Sequence, residues 1–232
     1  LADTAHIELD LPGAHVRFTT RAGGVSEGPY ASLNLGRWTD DDPCAVAENC
    51  RRAADGRPLA FGRQVHGTRV LTVDGATPDD AIADADGVAT AASGVAALVL
   101  TADCLPIALA TPNAIAMVHA GWRGLADGVL EEGVRAVRAL GGDGPLHAAI
   151  GPGAGVCCYE VGDEVAARFP DWPRRTDRTI DLKAIAAQRL RVAGVVEVHD
   201  VARCTMCEPD VFFSHRASGG LTGRQGGLAW RS

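Results

Sequence analysis

The sequence predicts an α/β (α+β) fold: a single layered domain over residues 1–232, with a mixed β-sheet flanked by helices. Three observations carry this. Residues 95–101, 105–110 and 114–119 are successive apolar, partly β-branched runs, as expected of strands buried on both faces. Residues 124–140 place Leu125, Val129, Val134 and Val137 at helical spacing. Strand and helix signals then mix without strict alternation, which favours a mixed sheet over a parallel one.

The elements follow in order. Residues 15–20 alternate apolar and polar and read as a first strand, broken by the glycine-rich loop Thr20-Arg21-Ala22-Gly23-Gly24-Val25-Ser26. Asp42 reads as an N-cap with Pro43 at the first helical position, opening a helix to Ala54. Residues 59–65 and 69–73 read as strands flanking His66-Gly67. After the three apolar runs and the helix come a strand at 146–150 and helices at 161–169 and 180–192. Strands at 195–201, 211–214 and 228–230 close the chain. The loop-like stretch 170–178 is too short to separate two domains.

Composition removes several function classes. The chain is 47% hydrophobic with a formal net charge of -7, so it can bury a sizeable core and has no basic stripe for nucleic acid. Lys183 is the only lysine, so arginine supplies nearly all the positive charge. The longest apolar run is broken by Asp103 and Pro106 and is no membrane span. Seven cysteines at irregular spacing, with no signal-peptide pattern in the first ten residues, predict free thiols in a reducing cytoplasm.

Three segments bring metal-ligand chemistry. They are Gln64-Val65-His66-Gly67, Thr101-Ala102-Asp103-Cys104-Leu105-Pro106 and Val118-His119-Ala120-Gly121-Trp122-Arg123-Gly124. Each places its His or Cys at a predicted strand end, where functional side chains concentrate. One Cys and two His leave a fourth position open, the ligand count of a catalytic zinc, and an open position can activate water or polarise a substrate. Read singly, Cys104 is a small core residue and each His a capping group. Asp103 faces away from Cys104 on an extended backbone, which makes it a supporting carboxylate or a turn cap.

Arg21 and Arg123 sit in glycine-flanked loops, where a rigid guanidinium fork suits phosphate or carboxylate. Ser214-His215-Arg216 and Thr222-Gly223-Arg224 repeat the pattern of Arg beside hydroxyls. The segment Ile150-Gly151-Pro152-Gly153-Ala154-Gly155-Val156-Cys157-Cys158 lacks the ending of a phosphate loop. Its adjacent cysteines read as structural, since neighbours in sequence rarely chelate one metal. Cys204-x-x-Cys207 has redox or zinc spacing but stands alone, without a second pair.

Together the motifs resemble a known family. Phe18-Thr19-Thr20-Arg21-x-Gly23-Gly24-Val25-Ser26 and Ser32-Leu33-Asn34-Leu35-Gly36 open the pattern. The segments around His66, Cys104 and His119 continue it, with Asp84-Ala85-Asp86-Gly87 between the first two. Ile150-Gly151-Pro152, Cys158-Tyr159-Glu160-Val161 and Phe212-Phe213-Ser214-His215-Arg216 complete it. In this order, over nearly the whole chain, they resemble the laccase-domain family, once called multicopper polyphenol oxidases and now regarded as purine nucleoside phosphorylases. Gly153 departs from the pattern, where relatives often carry a further Cys that is not a zinc ligand.

The resemblance implies a single α/β domain and a cytosolic zinc enzyme. It implies phosphorolysis of adenosine, inosine, guanosine and methylthioadenosine, and deamination of adenosine. His66, Cys104 and His119 are implied as zinc ligands. Beside them, Asp103 is the expected proton-moving group, Arg21 the first choice for phosphate, and Arg123 and Arg216 the others. The partners expected are purine nucleosides and phosphate, with no nucleic acid and no membrane.

Zinc is preferred to copper. Multicopper oxidation needs several coppers and more histidine ligands than the seven histidines here. A blue-copper site needs an axial Met, and the tight Cys-His-Met loop is missing around Met117 and Met206. Three alternatives remain open at this level: the copper polyphenol oxidase of the older name, a Cys-His hydrolase or amidase acting on a cell-wall precursor through Cys104 and His119, and a non-catalytic metal-binding module.

Overall fold

The computed structural model describes residues 6–172 and 178–232. Part of the loop-like stretch, 173–177, lies outside the described residues. The fold is mixed α/β, with two mixed sheets where the sequence reading expects one. The first sheet holds β1 (His6–Leu11), β2 (Ala14–Thr19), β3 (Leu59–Ala60), β6 (Ala96–Thr101) and β11 (Gln225–Arg231), in the order β1-β2-β11-β6-β3. The second holds β4 (Val70–Val73), β5 (Gly87–Thr90), β7 (Leu105–Ala110), β8 (Ile115–Ala120), β9 (Leu146–Ile150) and β10 (Val195–Asp200), in the order β10-β9-β7-β8-β5-β4. Its centre is antiparallel and both edge pairs are parallel.

The sheets stack, and their facing surfaces make one of three core clusters. Val16, Phe18, Val99 and Ala229 from the first sheet meet Ala108, Ala110, Ile115 and Met117 from the second. Strands β7 and β8 explain why these runs read as apolar without alternation: both faces are buried. On β7, Ala108 and Ala110 face the other sheet, while Ile107 and Leu109 face the helices. Register then matches large to small, with Ala108 opposite Met117 and Leu109 opposite Ala116. Interdigitation of this kind fills an interior to crystal-like density.

The outer faces are covered by helices. Helix α3 (Val129–Ala139) and α5 (Leu182–Val192) pack on the second sheet. Helix α1 (Pro43–Ala53) covers the first and buries Val46, Cys50 and Ala53 against Leu98, Leu228 and Trp230. Its start is as read from sequence: the Asp42 carboxylate accepts from the Cys44 amide at 2.9 Å, and Pro43 opens the helix.

Several boundaries differ, each for a local reason. The helix expected over 124–140 breaks at Gly128, whose φ of 101° only glycine adopts freely, into α2 (Trp122–Asp127) and α3. The helix expected over 161–169 shortens to α4 (Asp163–Ala166), and the strand over 59–65 to the two residues of β3. Residues 211–214 form no strand. Phe213 is buried there with its amide and carbonyl both bonded to the Gln225 side chain, at 2.7 and 3.0 Å, in place of a neighbouring strand. Strands β1 and β5 are additional: one is a half-exposed edge, the other four residues long.

Candidate functional site

His66, Cys104 and His119 converge. Their ligand atoms all lie within 4.8 Å of one another. Cys104 closes the turn that carries the chain from β6 in one sheet to β7 in the other. His119 is the penultimate residue of β8, opposite Pro106 of β7, and is only 3% exposed. His66 stands in the loop between β3 and β4 with φ of 61°. The Cys104 Sγ lies 3.9 Å from His66 Nε2, and the imidazole rings meet edge to face at 4.9 Å. Gly121 completes the cradle: a Cβ there would sit 2.8 Å from the His66 ring and 3.2 Å from Cys104 Sγ.

A buried carboxylate orients this set. Asp86 is wholly buried just before β5, and its Oδ1 accepts from His119 Nδ1 at 2.8 Å. The same carboxylate accepts the backbone amides of Val65, His66 and Gly67 at 3.1, 2.9 and 2.7 Å, and so fixes the loop that presents His66. A carboxylate on one imidazole nitrogen leaves the other directed at a metal. The fit to a metal ion therefore rests on three observations: a donor set of one thiol and two imidazoles, a glycine that keeps their meeting point clear, and a carboxylate that sets the tautomer. Sequence reasoning quoted Asp86 in a motif without giving it a role. Its signal, an Asp just before a short strand, is common to turns.

The electrostatics couple these groups. Burial alone would raise the Cys104 thiol, but the charge of His119 and hydrogen bonds from both histidines bring it down to about 6. Burial would lower His119, and the Cys104 thiolate and Asp86 carboxylate instead raise it to about 9. Burial pushes Asp86 up too; the His119 contact and the amides of Gly67 and Val65 outweigh it and hold the carboxylate below its usual range. Without an ion, Cys104 thus rests at neutral pH as a thiolate beside a protonated His119, and an ion bound by both would take the place of that proton.

The set lies on the wall of a cavity of about 390 Å³, within the range of small-molecule sites. Asp103, Tyr159, Arg216 and Arg224 line it, with Trp38 and Thr101. Asp103 has φ of 98°, a left-handed turn that a non-glycine residue holds only when its surroundings fix it. Its Oδ1 accepts from Thr205 Oγ1 and its Oδ2 from the Arg216 amide, both at 2.7 Å, and it is not one of the three converging ligands. The Thr101 hydroxyl is buried and has no hydrogen-bond partner among the described residues.

The arginines separate by position. Arg216 lies 5.5 Å from the Tyr159 ring and donates to the Glu160 carbonyl. Arg21, the first choice from sequence, does not line the cavity. Its guanidinium donates to the Ala31 and Pro209 carbonyls at 2.8 and 2.7 Å and covers the Phe213 ring. Arg123 is exposed on α2 over its neighbour Trp122, also outside the lining. Arg224, which sequence reasoning noted only as a repeat of a pattern, does line it. Burial lowers its pKa, with Cys104 and Asp103 acting in the opposite direction. Burial and the Cys104 charge push Tyr159 up to about 12, so its phenol stays a proton donor.

The remaining cysteines hold a further departure from the sequence reading. Cys157 and Cys158, read as structural, and Cys204 and Cys207, read as an isolated pair, come together as one four-sulfur cluster. All seven cysteines are free thiols. No helix among the described residues is long and apolar enough to cross a membrane.

Residues 15–232 match the family model described as multi-copper polyphenol oxidoreductase laccase. A protein of Corynebacterium glutamicum named purine nucleoside phosphorylase is 37% identical over 229 residues, covering 92% of each chain. One of Streptomyces griseus with the same name is 41% identical over 234 residues, covering 94% of each. The crystal structure of Neisseria meningitidis protein NMB0706, of family model DUF152, superposes with a TM-score of 0.86 at 34% identity, over 99% of this chain and all of that one.

Proposed function

This chain belongs to the multi-copper polyphenol oxidoreductase laccase family, and from that premise we propose that it is a zinc-dependent purine nucleoside phosphorylase. The supporting observation is the meeting of His66, Cys104 and His119 on the wall of a cavity that also carries Arg216 and Arg224. The names of its relatives support the substrate class. An ion held by these three side chains would supply Lewis acidity at an open fourth position. Zinc suits the one-thiolate, two-imidazole set. Met117, the one Met near in sequence, is packed between the sheets, so nothing there resembles a blue-copper axial ligand.

In the proposed reaction a phosphate oxygen bonds to the ribose anomeric carbon, the bond from that carbon to the purine nitrogen breaks, and the base leaves with the electron pair and is then protonated. Arg216 and Arg224 hold the phosphate in place of the Arg21 expected from sequence. Asp103, fixed by Thr205 and the Arg216 amide, offers a set acceptor for a ribose hydroxyl. Tyr159, kept neutral, is placed to donate a proton or hydrogen bond, and Trp38, 52% exposed, gives the purine a face to stack on. Adenosine, inosine, guanosine and methylthioadenosine share the parts these groups would touch. The same cavity is proposed to convert adenosine and water to inosine and ammonia.

The test incubates purified protein with inosine or adenosine, with and without phosphate, and reads products by liquid chromatography and mass spectrometry. Hypoxanthine with ribose-1-phosphate, formed only with phosphate and lost on chelation, is the expected result. Zinc-loaded protein that releases no base, and makes no inosine from adenosine, overturns the proposal.

One observation favours a second reading. Cys104, His119 and Asp86 are arranged as nucleophile, base and orienting carboxylate, with the thiol at about 6. A Cys-His amidase built on them would trap an acyl group on Cys104 and ignore chelators, which separates it from the zinc reading.

A further inference from the structure

We infer that Cys157, Cys158, Cys204 and Cys207 form a second metal site, a closed tetrathiolate that holds one zinc ion and braces the wall of the cavity. Their four Sγ atoms all lie within 4.8 Å of one another, with Cys207 at 3.4 Å from Cys157 and 3.3 Å from Cys158. Zinc–thiolate bonds of about 2.3 Å set a tetrahedron whose edges are about 3.8 Å; the two Cys207 separations fall about half an ångström short of that edge, and every other pair lies within 4.8 Å. They are far longer than a disulfide bond of about 2.0 Å. Four protein ligands fill the coordination shell, as in structural rather than catalytic zinc sites.

Adjacent cysteines point apart on an extended backbone. Here residues 156–158 form a turn, closed by the Cys158 and Tyr159 amides on the Gly155 carbonyl at 3.0 and 2.9 Å, and both thiols turn to the same side. Cys204-x-x-Cys207 forms the opposing turn. The Gly155 amide donates to Cys204 Sγ at 3.2 Å and the Cys207 amide bonds to it as well, which favours the thiolate form of that sulfur. Gly155 fits the cluster because it lacks a side chain: a Cβ would sit 3.1 Å from Cys157 Sγ and 3.3 Å from Cys204 Sγ. Each thiol gives up a proton to solvent as a divalent cation binds, and no oxidation is involved.

The consequence reaches the cavity. The two turns are 50 residues apart in sequence and meet at the Gly153–Cys204 bridge. One donates the Ala154 amide to the Asp103 carbonyl at 2.8 Å and carries Tyr159; the other donates the Thr205 hydroxyl to the Asp103 carboxylate. A metal clip between them would hold the strained turn beside Cys104 from behind.

The test counts metal by mass spectrometry of elements in the full chain, expressed with zinc and purified under reductant. We expect two zinc ions per chain from the two clusters, one in Cys204→Ser/Cys207→Ser, and one in His119→Ala. The ion left in His119→Ala is assigned by alkylation: Cys157, Cys158, Cys204 and Cys207 are protected until a chelator is added, while exposed Cys44 reacts throughout. A metal-free His119→Ala protein, alkylation indifferent to chelator, iron in place of zinc, or a chain lighter by two hydrogens from a disulfide among these four overturns the inference. This readout needs no catalysis, so it stands apart from the phosphorylase proposal. An ion lost only from the His119 site would leave the four-cysteine site in place.

Discussion

The His66–Cys104–His119 set and the four-cysteine set are both tied to the turn at Asp103, and both consist of soft or borderline ligands. They differ in ligand number and in what surrounds them. The first has three ligands, a buried carboxylate behind one of them, and an adjoining cavity. The second has four, amide hydrogen bonds to a sulfur, and two exposed members, Cys157 and Cys207. Ligand number separates a site able to take a substrate from one that only holds structure. Three predictions about the first set, and one that contrasts it with the second, bear on this difference.

Removing a ligand from the open set has the largest effect. His119→Ala is expected to lose phosphorolysis by more than the ~10–100-fold that loss of a ligand's orienting partner costs, while the four-cysteine site keeps its ion. Steady-state kinetics with metal counting checks both halves. Asp86→Asn comes next, at ~10–100-fold in metal affinity or activity. The Asn amide would set a donor against the amides of Val65 and Gly67 or against His119 Nδ1. A competition assay with a zinc-binding dye reads the affinity, and no change would remove Asp86 from the account.

The arginines follow. Arg224→Gln should raise KM for phosphate by about 10–100-fold, the equivalent of one charge-assisted hydrogen bond of ~1.5–3 kcal/mol. Arg21→Gln should leave that KM unchanged and lower the melting temperature, because its donors hold the Ala31 and Pro209 carbonyls. The reverse pattern would restore the choice made from sequence.

The smallest effect concerns protonation. In metal-free protein Cys104 is held at about 6, so its alkylation rate should rise with pH through a midpoint near there as thiolate replaces thiol. Removing His119 takes away the positive charge that depresses it, and the midpoint should move up. Cys157 and Cys207, raised to about 11, should show no midpoint near 6. Mass-spectrometric alkylation rates between pH 5 and 9 test both, and a common midpoint for the two clusters would erase the contrast.

Much of the three-residue set was legible in sequence because Cys104 and His119 stand at strand ends and His66 in a loop, each near Gly, Asp or Pro, where the chain turns and side chains gather. Asp86 was not, since its role comes from β5 lying antiparallel to β8, which brings Asp86 beside His119. The four-cysteine cluster was missed for a similar reason. Two weak signals 50 residues apart become one site only through a turn that reverses the direction of neighbouring side chains. In the second sheet β7 and β8 were read within a residue because burial on both faces leaves continuous apolar runs, whereas the four residues of β5 went unread. The first sheet was read less completely: β1 lies half-exposed at its edge and β3 has two residues. Gln225 standing in for a strand partner of Phe213 is a tertiary effect that local pattern does not carry.

Phosphorolysis requires that the cavity direct phosphate, rather than water, to the ribose anomeric carbon. The most direct measurement runs inosine cleavage by zinc-loaded protein in ¹⁸O-labelled water with unlabelled phosphate, and reads the sugar product by mass spectrometry. Phosphorolysis gives ribose-1-phosphate with no label on its anomeric oxygen. Free ribose carrying one labelled oxygen would show hydrolysis and contradict it.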